Sequence, residues 1–252
     1  MNSPLKLMAI FPHPDDETLG LGSTFARYAA EGFESEGPDP GFEGVARIRS
    51  GELQRAADNL GLHEVTFLDY IDGDVDQANP AEIIRKLVAQ IRRVRPQVIV
   101  TFPPDGGYGH PDHIALSQFT NGAIVCAADE SFEDGLASHR VSKFYYMVDS
   151  VDIMRAANEA FGGLHMEIDG VIRHHVGWED WQITTVLNNH KDMDKVKKAI
   201  QCHKSQLAGY GPLGELSVSE LTKLFGTGYF YRTFSLVNGG RKVETDLFEG
   251  LR

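Results

Sequence analysis

Twice in this chain a short apolar run ends in a cluster of His and Asp residues and then in helix-forming sequence. Leu7-Met8-Ala9-Ile10 runs into Phe11-Pro12-His13-Pro14-Asp15-Asp16-Glu17, and Val98-Ile99-Val100-Thr101-Phe102 leads to Gly109-His110-Pro111-Asp112-His113. A short continuous apolar run is what a strand covered on both faces requires, and such strands belong to parallel sheets flanked by helices. Ionisable residues at a strand's end make a poor core and good ligands. The repeated order of strand, cluster and helix points to a fold whose strands deliver polar groups to one edge of a sheet.

The rest of the first 150 residues keeps the same alternation. Apolar spacing predicts helices over residues 19–30, 50–60, 80–94 and 111–128, and strands over 6–11, 65–70, 98–102 and 143–148. Asn79-Pro80 reads as an N-cap followed by a proline in the first turn, and Pro96 stops that helix. Gly32 and Gly61 close the first two helices. The pattern implies an α/β fold, Rossmann-like, with a mostly parallel sheet sandwiched by helices. The last hundred residues are less regular, with strands predicted at 183–187 and 229–237 and helices at 192–206 and 217–225. We expect one domain over 1–252: a core at 1–150 that carries the site, and a region at 151–252 that shapes the pocket. The Tyr- and Phe-rich strand at 229–237 reads first as an ordinary sheet strand and second as the interface of a homo-oligomer.

Composition excludes several function classes. The formal net charge is −12, from 36 acidic and 24 basic residues, which argues against a nucleic-acid partner held through its phosphates. No run approaches the roughly 18 apolar residues of a membrane span, and the N-terminus has no apolar stretch of the secretory kind. Cys126 and Cys202 are the only cysteines and stand far apart, so a disulfide framework is not expected and a cytoplasmic location is.

The two clusters together have the chemistry of a metal site. Catalytic zinc takes three protein ligands from His and carboxylate and keeps one position for water. His13 and Asp16, three residues apart across a turn into a helix, can both face one ion, and His113 is the natural third ligand. The ion brings the pKa of bound water near neutrality. Asp15, not needed as a ligand, can take that proton as general base. His110, if protonated, can stabilise an oxyanion and protonate the leaving amine, with Asp112 orienting it and raising its pKa. Two His and a carboxylate suit Fe2+ as well as Zn2+. His63, His139, His165, His174, His175 and His190 have no comparable company, and His174-His175 reads as loop surface.

His13-Pro14-Asp15-Asp16-Glu17-Thr18-Leu19-Gly20, with Gly109-His110-Pro111-Asp112-His113 downstream, resembles the LmbE/PIG-L family of zinc-dependent N-deacetylases. The likeness covers most of residues 5–125. It includes Arg49-Ser50-Gly51-Glu52-Leu53, Phe67 to Gly73 and, near the end, His203-Lys204-Ser205-Gln206. The resemblance implies hydrolysis of the acetamide of an amino sugar, commonly an N-acetylglucosamine unit. It supports His13, Asp16 and His113 as ligands, Asp15 as base, and His110 with Asp112 behind it. It also implies that Tyr108 closes over the substrate carbonyl and that Arg49 and Asp72 hold sugar hydroxyls. His203 stays outside the catalytic set. Two rivals stand beside this reading. One is another metallohydrolase, for a phosphoester or a different amide. The other is a sugar-binding protein on a degenerate deacetylase scaffold, against which intact Asp15 and His110 argue.

One stretch departs from the family. Its members carry a β-branched strand soon after the first helix, followed by a Thr-Arg-Gly-Glu-like turn. Residues 31–48 hold no such run, and Gly, Pro and Glu dominate 32–44, which reads as an exposed loop. Either the strand is lost or residues are missing between Gly32 and Gly44. The second is expected, because losing an internal strand breaks the crossover geometry. A break in the chain within 31–45 is the test.

Overall fold

Alternate residues of the central strands pack into two separate cores, and that division makes the three-layer sandwich. Leu7 and Ala9 face one core with Val98, Val100 and Tyr145. Met8 and Ile10 face the other with Ile99, Phe144 and Tyr146. The period of two along a strand sends successive side chains to opposite faces, so these strands are apolar at successive positions. The computed structural model describes residues 4–31, 34–39, 45–161, 165–168, 170–209, 211–240 and 242–252.

The chain begins with β1 (Lys6–Ala9), α1 (Asp16–Ala30), β2 (Glu34–Asp39), α2 (Val45–Leu60) and β3 (Glu64–Phe67). It continues through α3 (Pro80–Val94), β4 (Val98–Thr101), a single distorted turn α4 (Gly106–Gly109), α5 (Pro111–Ala128) and β5 (Lys143–Val148). The last part holds α6 (Val151–Phe161), a hairpin of β6 (His165–Ile168) and β7 (Val171–His174), then β8 (Thr185–Asn188), α7 (Met193–Ile200), α8 (Val218–Phe225) and β9 (Thr227–Ser235). The main sheet runs β3-β2-β1-β4-β5-β9-β8. Its first five strands are parallel, and β9 is antiparallel to both neighbours. Helices α1, α7 and α8 supply residues such as Phe25, Val196 and Leu221 to one core. Helices α3 and α5 supply Leu87, Ile91 and Phe119 to the other. The fold is α/β and Rossmann-like, and its sheet reverses direction of growth between β1 and β4, where such sheets place ligands.

Capping signals set α3 as expected: the Asn79 side chain accepts from the N–H groups of Ala81 and Glu82, and Arg95 ends the helix in the left-handed region. Helix α5 and strand β5 fall on the predicted residues. Three expectations are corrected. Residues 31–48 do contain a strand: Glu34–Asp39 pairs with both β1 and β3. Backbone pairing fills the position where side-chain hydrophobicity gave no sign of it. The pairing to β1 ends at Glu36, so Pro38, which has no N–H to give, is paired only to β3. The chain-break test crosses residues 32–33 and 40–44, which lie outside the described residues. Helix α2 starts at Val45 rather than Ser50, because Ser50-Gly51 does not interrupt it. Helix α7 ends at Ile200 rather than at residue 206, and the turns that follow carry His203 inward.

Strand β9 lies between β5 and β8, and Phe230 is buried in the core, as in an ordinary sheet strand. Among the described residues no helix is long and apolar enough to cross a membrane.

Candidate metal centre

Strands β1 and β4 are neighbours, so the loops leaving their carboxyl ends meet. Thr101 donates its hydroxyl to the Ile10 carbonyl at 2.8 Å and fixes the two strand ends side by side. His13 and Asp16 come from the first loop and the start of α1. His110, Asp112 and His113 come from the start of α5, where His110 is the N-cap and Pro111 occupies the first turn. Phe102, at the end of β4, stacks on the His113 ring at 3.9 Å.

The protons on the rings can be assigned from their partners. His113 Nδ1 lies 3.1 Å from the Gly106 carbonyl oxygen, which can only accept, so Nδ1 carries the hydrogen and the Nε2 lone pair faces the site. His13 Nε2 lies 3.1 Å from Asp112 Oδ2 and 3.2 Å from Asp72 Oδ1. Those carboxylates accept the Nε2 hydrogen, and Nδ1 is turned toward His113 and Asp16. His13 Nδ1 and His113 Nε2 are 3.2 Å apart. Asp16 Oδ2 stands 3.5 Å from His13 Nδ1, and the other oxygen, Oδ1, 3.8 Å from His113 Nε2. Two ligands about 2.1 Å from a tetrahedral zinc stand roughly 3.4 Å apart. The donor set is therefore of the right type and nearly the right size for one divalent ion. A buried carboxylate on the far nitrogen of a ligating His is the usual outer support, and Asp112 is in that position. Among the described residues, two groups of ligand atoms lie within 4.8 Å of one another, His13 with His110 and His113, and His13 with Asp72 and Asp112; Asp16 is in neither.

The electrostatics favour a cation. Burial opposes charge on His13, but hydrogen bonds to Asp112 and Asp16 outweigh it and raise its pKa well above the ordinary value. Burial, together with His13 and His110, pushes His113 down to about 3 against the pull of Asp16, so His113 is neutral. Burial would raise Asp16 and Asp112, yet the neighbouring imidazoles hold both below the usual carboxylate range. Ionised carboxylates and a neutral imidazole converging in one crevice are what a metal site requires.

Asp112 is fully buried and accepts the backbone N–H groups of Gly73 at 2.8 Å and Val75 at 3.1 Å. Its link to His110 runs through its own N–H, which donates to His110 Nδ1 at 3.1 Å. His110 thus keeps its hydrogen on Nε2. Asp112 raises the pKa of His110 as expected, but burial and His13 outweigh it and the net shift is downward. Neutral His110 is a hydrogen-bond donor rather than a charged acid.

Asp15 precedes α1 with φ 135° and ψ −26° and makes no side-chain cap to it. Its carboxylate lies 3.6 Å from Arg49 NH2. Arg49 also donates to the Pro14 carbonyl at 3.0 Å and pairs with Asp72. Arg49 and Asp72, both expected to hold sugar hydroxyls, form an ion pair with each other. The Tyr108 ring meets His113 edge-on at 5.1 Å and His110 at 5.9 Å. Burial, then Asp16 and Asp15, raise its pKa above that of an ordinary tyrosine, so it stays a phenol.

Two residues that sequence reasoning passed over also reach the site. His175, expected on a loop surface, is half-buried and stacks on Tyr108 at 4.6 Å, while His174 is exposed and ends β7. Arg173 of β7 donates to the Gly109 carbonyl at 2.6 Å, and the Val176 N–H donates to Gly107 at 3.1 Å. The β6–β7 hairpin thereby lies along the turn that carries Tyr108. No local signal marks these residues, because their role depends on a contact across more than sixty positions.

Comparison with known proteins agrees with this geometry. The family model described as PIG-L, GlcNAc-PI de-N-acetylase, matches residues 8–124. A relative from Geodermatophilus obscurus, named 1D-myo-inositol 2-acetamido-2-deoxy-alpha-D-glucopyranoside deacetylase, is 30% identical over 100% of this chain and 99% of its own. That alignment spans 297 positions, 45 more than the 252 residues of this chain, so the relative has positions without a counterpart here. Among solved structures, N,N'-diacetylchitobiose deacetylase from Pyrococcus horikoshii matches with TM-score 0.64 and 18% identity, covering 90% of this chain and 83% of that one. The 4-carboxy-2-hydroxymuconate hydratase GalB from Pseudomonas putida KT2440 matches with TM-score 0.68 and 17% identity, covering 94% and 99%. These structural likenesses establish the fold, which serves more than one reaction. The identity and coverage of the Geodermatophilus relative, with both His/Asp clusters inside the matched region, place this chain in the PIG-L family of de-N-acetylases.

Proposed function

We propose that this protein is a metal-dependent hydrolase that removes the acetyl group from the N-acetyl amide of a glucosamine conjugate. The observation that carries the reading is the convergence of His13 Nδ1, His113 Nε2 and the Asp16 carboxylate, with Asp15 adjoining Asp16 at the start of α1. His13, Asp16 and His113 would hold Zn2+, or Fe2+, which suits the same donors. Such an ion supplies a water acidic enough to be deprotonated near neutral pH and a Lewis acid for the carbonyl. With the ion bound, Asp15 would be the base that accepts the proton of the attacking water. The His110 Nε2–H and the Tyr108 hydroxyl donate hydrogen bonds to the oxygen on which negative charge develops. As the C–N bond breaks, Asp15 returns its proton to the amine nitrogen, which suits a neutral His110 better than proton loss from that imidazole.

The substrate reading follows from the relatives. The Geodermatophilus protein is named for an N-acetylglucosaminyl inositol, and we infer an amino-sugar conjugate of that kind here. Arg49 and Asp72 present a donor and an acceptor to sugar hydroxyls. The β6–β7 hairpin of the C-terminal region, through Arg173 and His175, supports that region's role in shaping the pocket within one domain. Cytoplasmic action belongs to the same reading and is supported by Cys126 and Cys202, which are free thiols.

The test is acetate release from N-acetylglucosaminyl inositol, free N-acetylglucosamine and diacetylchitobiose, with metal content measured on the same protein. One ion per chain and fastest turnover of the inositol conjugate are expected. A protein carrying one ion that releases acetate from none of the three would sink the proposal.

A further inference from the structure

At the first turn of α1, three buried polar side chains meet. Glu17 Oε2 accepts the backbone N–H of Asp15 at 2.9 Å, and Glu17 Oε1 lies 3.0 Å from His203 Nε2. The Thr18 hydroxyl donates to Glu17 and lies 3.2 Å from the same nitrogen of His203. Glu17 is 8% exposed, Thr18 1% and His203 1%. A buried carboxylate is costly unless paired, and this one receives its partner from 186 positions away.

Asp15 explains what the arrangement does. Its φ of 135° lies where L-residues are strained, and strain of that kind persists only where surrounding groups hold it. The first turn of a helix leaves backbone N–H groups without intrahelical partners. Here the Asp15 N–H is held by Glu17, two residues ahead, while the Asp15 side chain makes no cap.

We propose that Glu17 and His203 are positioning residues: His203 fixes the Glu17 carboxylate, and Glu17 holds the strained Asp15 backbone so that its side chain is aimed at the reacting water. The inference rests on Asp15 being the general base. His203 belongs to the turns after α7, so the C-terminal region contributes to the geometry of a residue in the N-terminal cluster. A second contact supports the same attachment: Ser205 donates its N–H at 3.0 Å and its hydroxyl at 2.7 Å to Glu52 of α2.

The test compares His203→Ala, His203→Gln, Glu17→Gln and Asp15→Asn, and the double variant Asp15→Asn with His203→Ala, each measured per metal-loaded folded molecule. Misplacement of a reacting group by about 1 Å costs on the order of 100-fold. His203→Ala should keep one metal per chain and wild-type KM while kcat falls about 10- to 100-fold. His203→Gln, whose amide N–H can still reach Glu17, should recover most of that loss. In the Asp15→Asn background the His203→Ala change should cost nothing more, because residues acting as a unit are not additive. Wild-type kcat in both His203→Ala and Glu17→Gln, with Asp15→Asn inactive, overturns the positioning role and leaves the base assignment standing. So does a fully additive double variant. If His203→Ala does not fold, Glu17→Gln and His203→Gln decide the matter by the same split of kcat from KM. Wild-type turnover of Asp15→Asn overturns the base assignment and the positioning role with it.

Discussion

Each nitrogen of His13 faces a different partner, and that division predicts which substitutions remove the metal and which only slow the reaction. Nδ1 faces His113 and Asp16, whereas Nε2 faces Asp112 and Asp72. His110 is near enough to His13 and His113 to be grouped with them, but its Nδ1 is occupied by the Asp112 N–H. Asp16→Ala and His113→Ala should therefore purify with little metal. His110→Ala and Asp15→Ala should bind about one ion per chain and lose roughly 100- to 10,000-fold in kcat. Elemental analysis beside steady-state kinetics separates the two groups. A metal-free His110→Ala protein would make His110 a ligand and reassign Asp16. The residues on which this prediction rests were legible in the sequence because each cluster is contiguous and follows a strand. Their division of labour was not. Asp112 meets His110 through its own N–H, while its carboxylate supports His13 and binds the Gly73 and Val75 N–H groups, a partnership set by the third dimension.

At the scale of elements, the turn α4 shows how little chain is needed to seat a ligand. Gly106 has φ +68°, and a Cβ there would lie 2.9 Å from the Cβ of His113. Its carbonyl is the acceptor that holds His113 Nδ1. Gly106→Ala should cost about 1–3 kcal/mol in stability from backbone strain and weaken metal binding by more than tenfold. A chelator competition at fixed pH measures the second effect. Unchanged affinity in a destabilised protein would mean that the seat of His113 does not depend on this turn. Legibility varied among the elements for physical reasons. Helix α3 could be read because Asn79, Pro80 and Pro96 mark its ends by local backbone chemistry. Strand β5, Lys143–Val148, could be read because it is apolar on both faces. Strand β2 could not, since Glu34–Asp39 has no apolar run and is recognised by its pairing to β1 and β3. Helix α6 and the β6–β7 hairpin were also missed. The hairpin strands are four residues each and largely exposed, so they carry no alternation to read.

Across the whole molecule, the carboxyl-terminal segment ties the two halves of the chain together, and its charges make that tie depend on pH. Glu244 accepts from the buried Lys143 amine at 2.7 Å and from the Tyr145 hydroxyl at 2.6 Å. Two residues on, Asp246 accepts from the Tyr28 hydroxyl of α1 at 2.8 Å, the Phe248 N–H at 2.9 Å and Arg252 Nε at 2.6 Å. Tyr28 in turn receives the Leu247 N–H at 2.8 Å, which seats Leu247 and Phe248 in the core beside α1. Burial works against charge on Asp246, but Arg252, Phe248 and Tyr28 outweigh it and hold its pKa below the ordinary carboxylate value. A depressed folded-state pKa contributes stability that is complete above the unfolded value of about 3.9 and is lost as pH falls through the folded one. Asp246→Asn removes the charge and should cost about 2 kcal/mol at pH 7, lowering Tm by roughly 4–8 °C in a chain of this length. The gap between wild type and variant should hold from pH 7 to about pH 5 and then narrow as acid protonates the wild-type carboxylate. Urea midpoints across that range measure it. A gap that stays constant down to pH 3 would show that shape rather than charge makes the contact. Because Asp246 stands far along the chain from the catalytic clusters, metal content and KM in Asp246→Asn at pH 7 should match wild type, which separates the attachment of this segment from the chemistry at the strand ends.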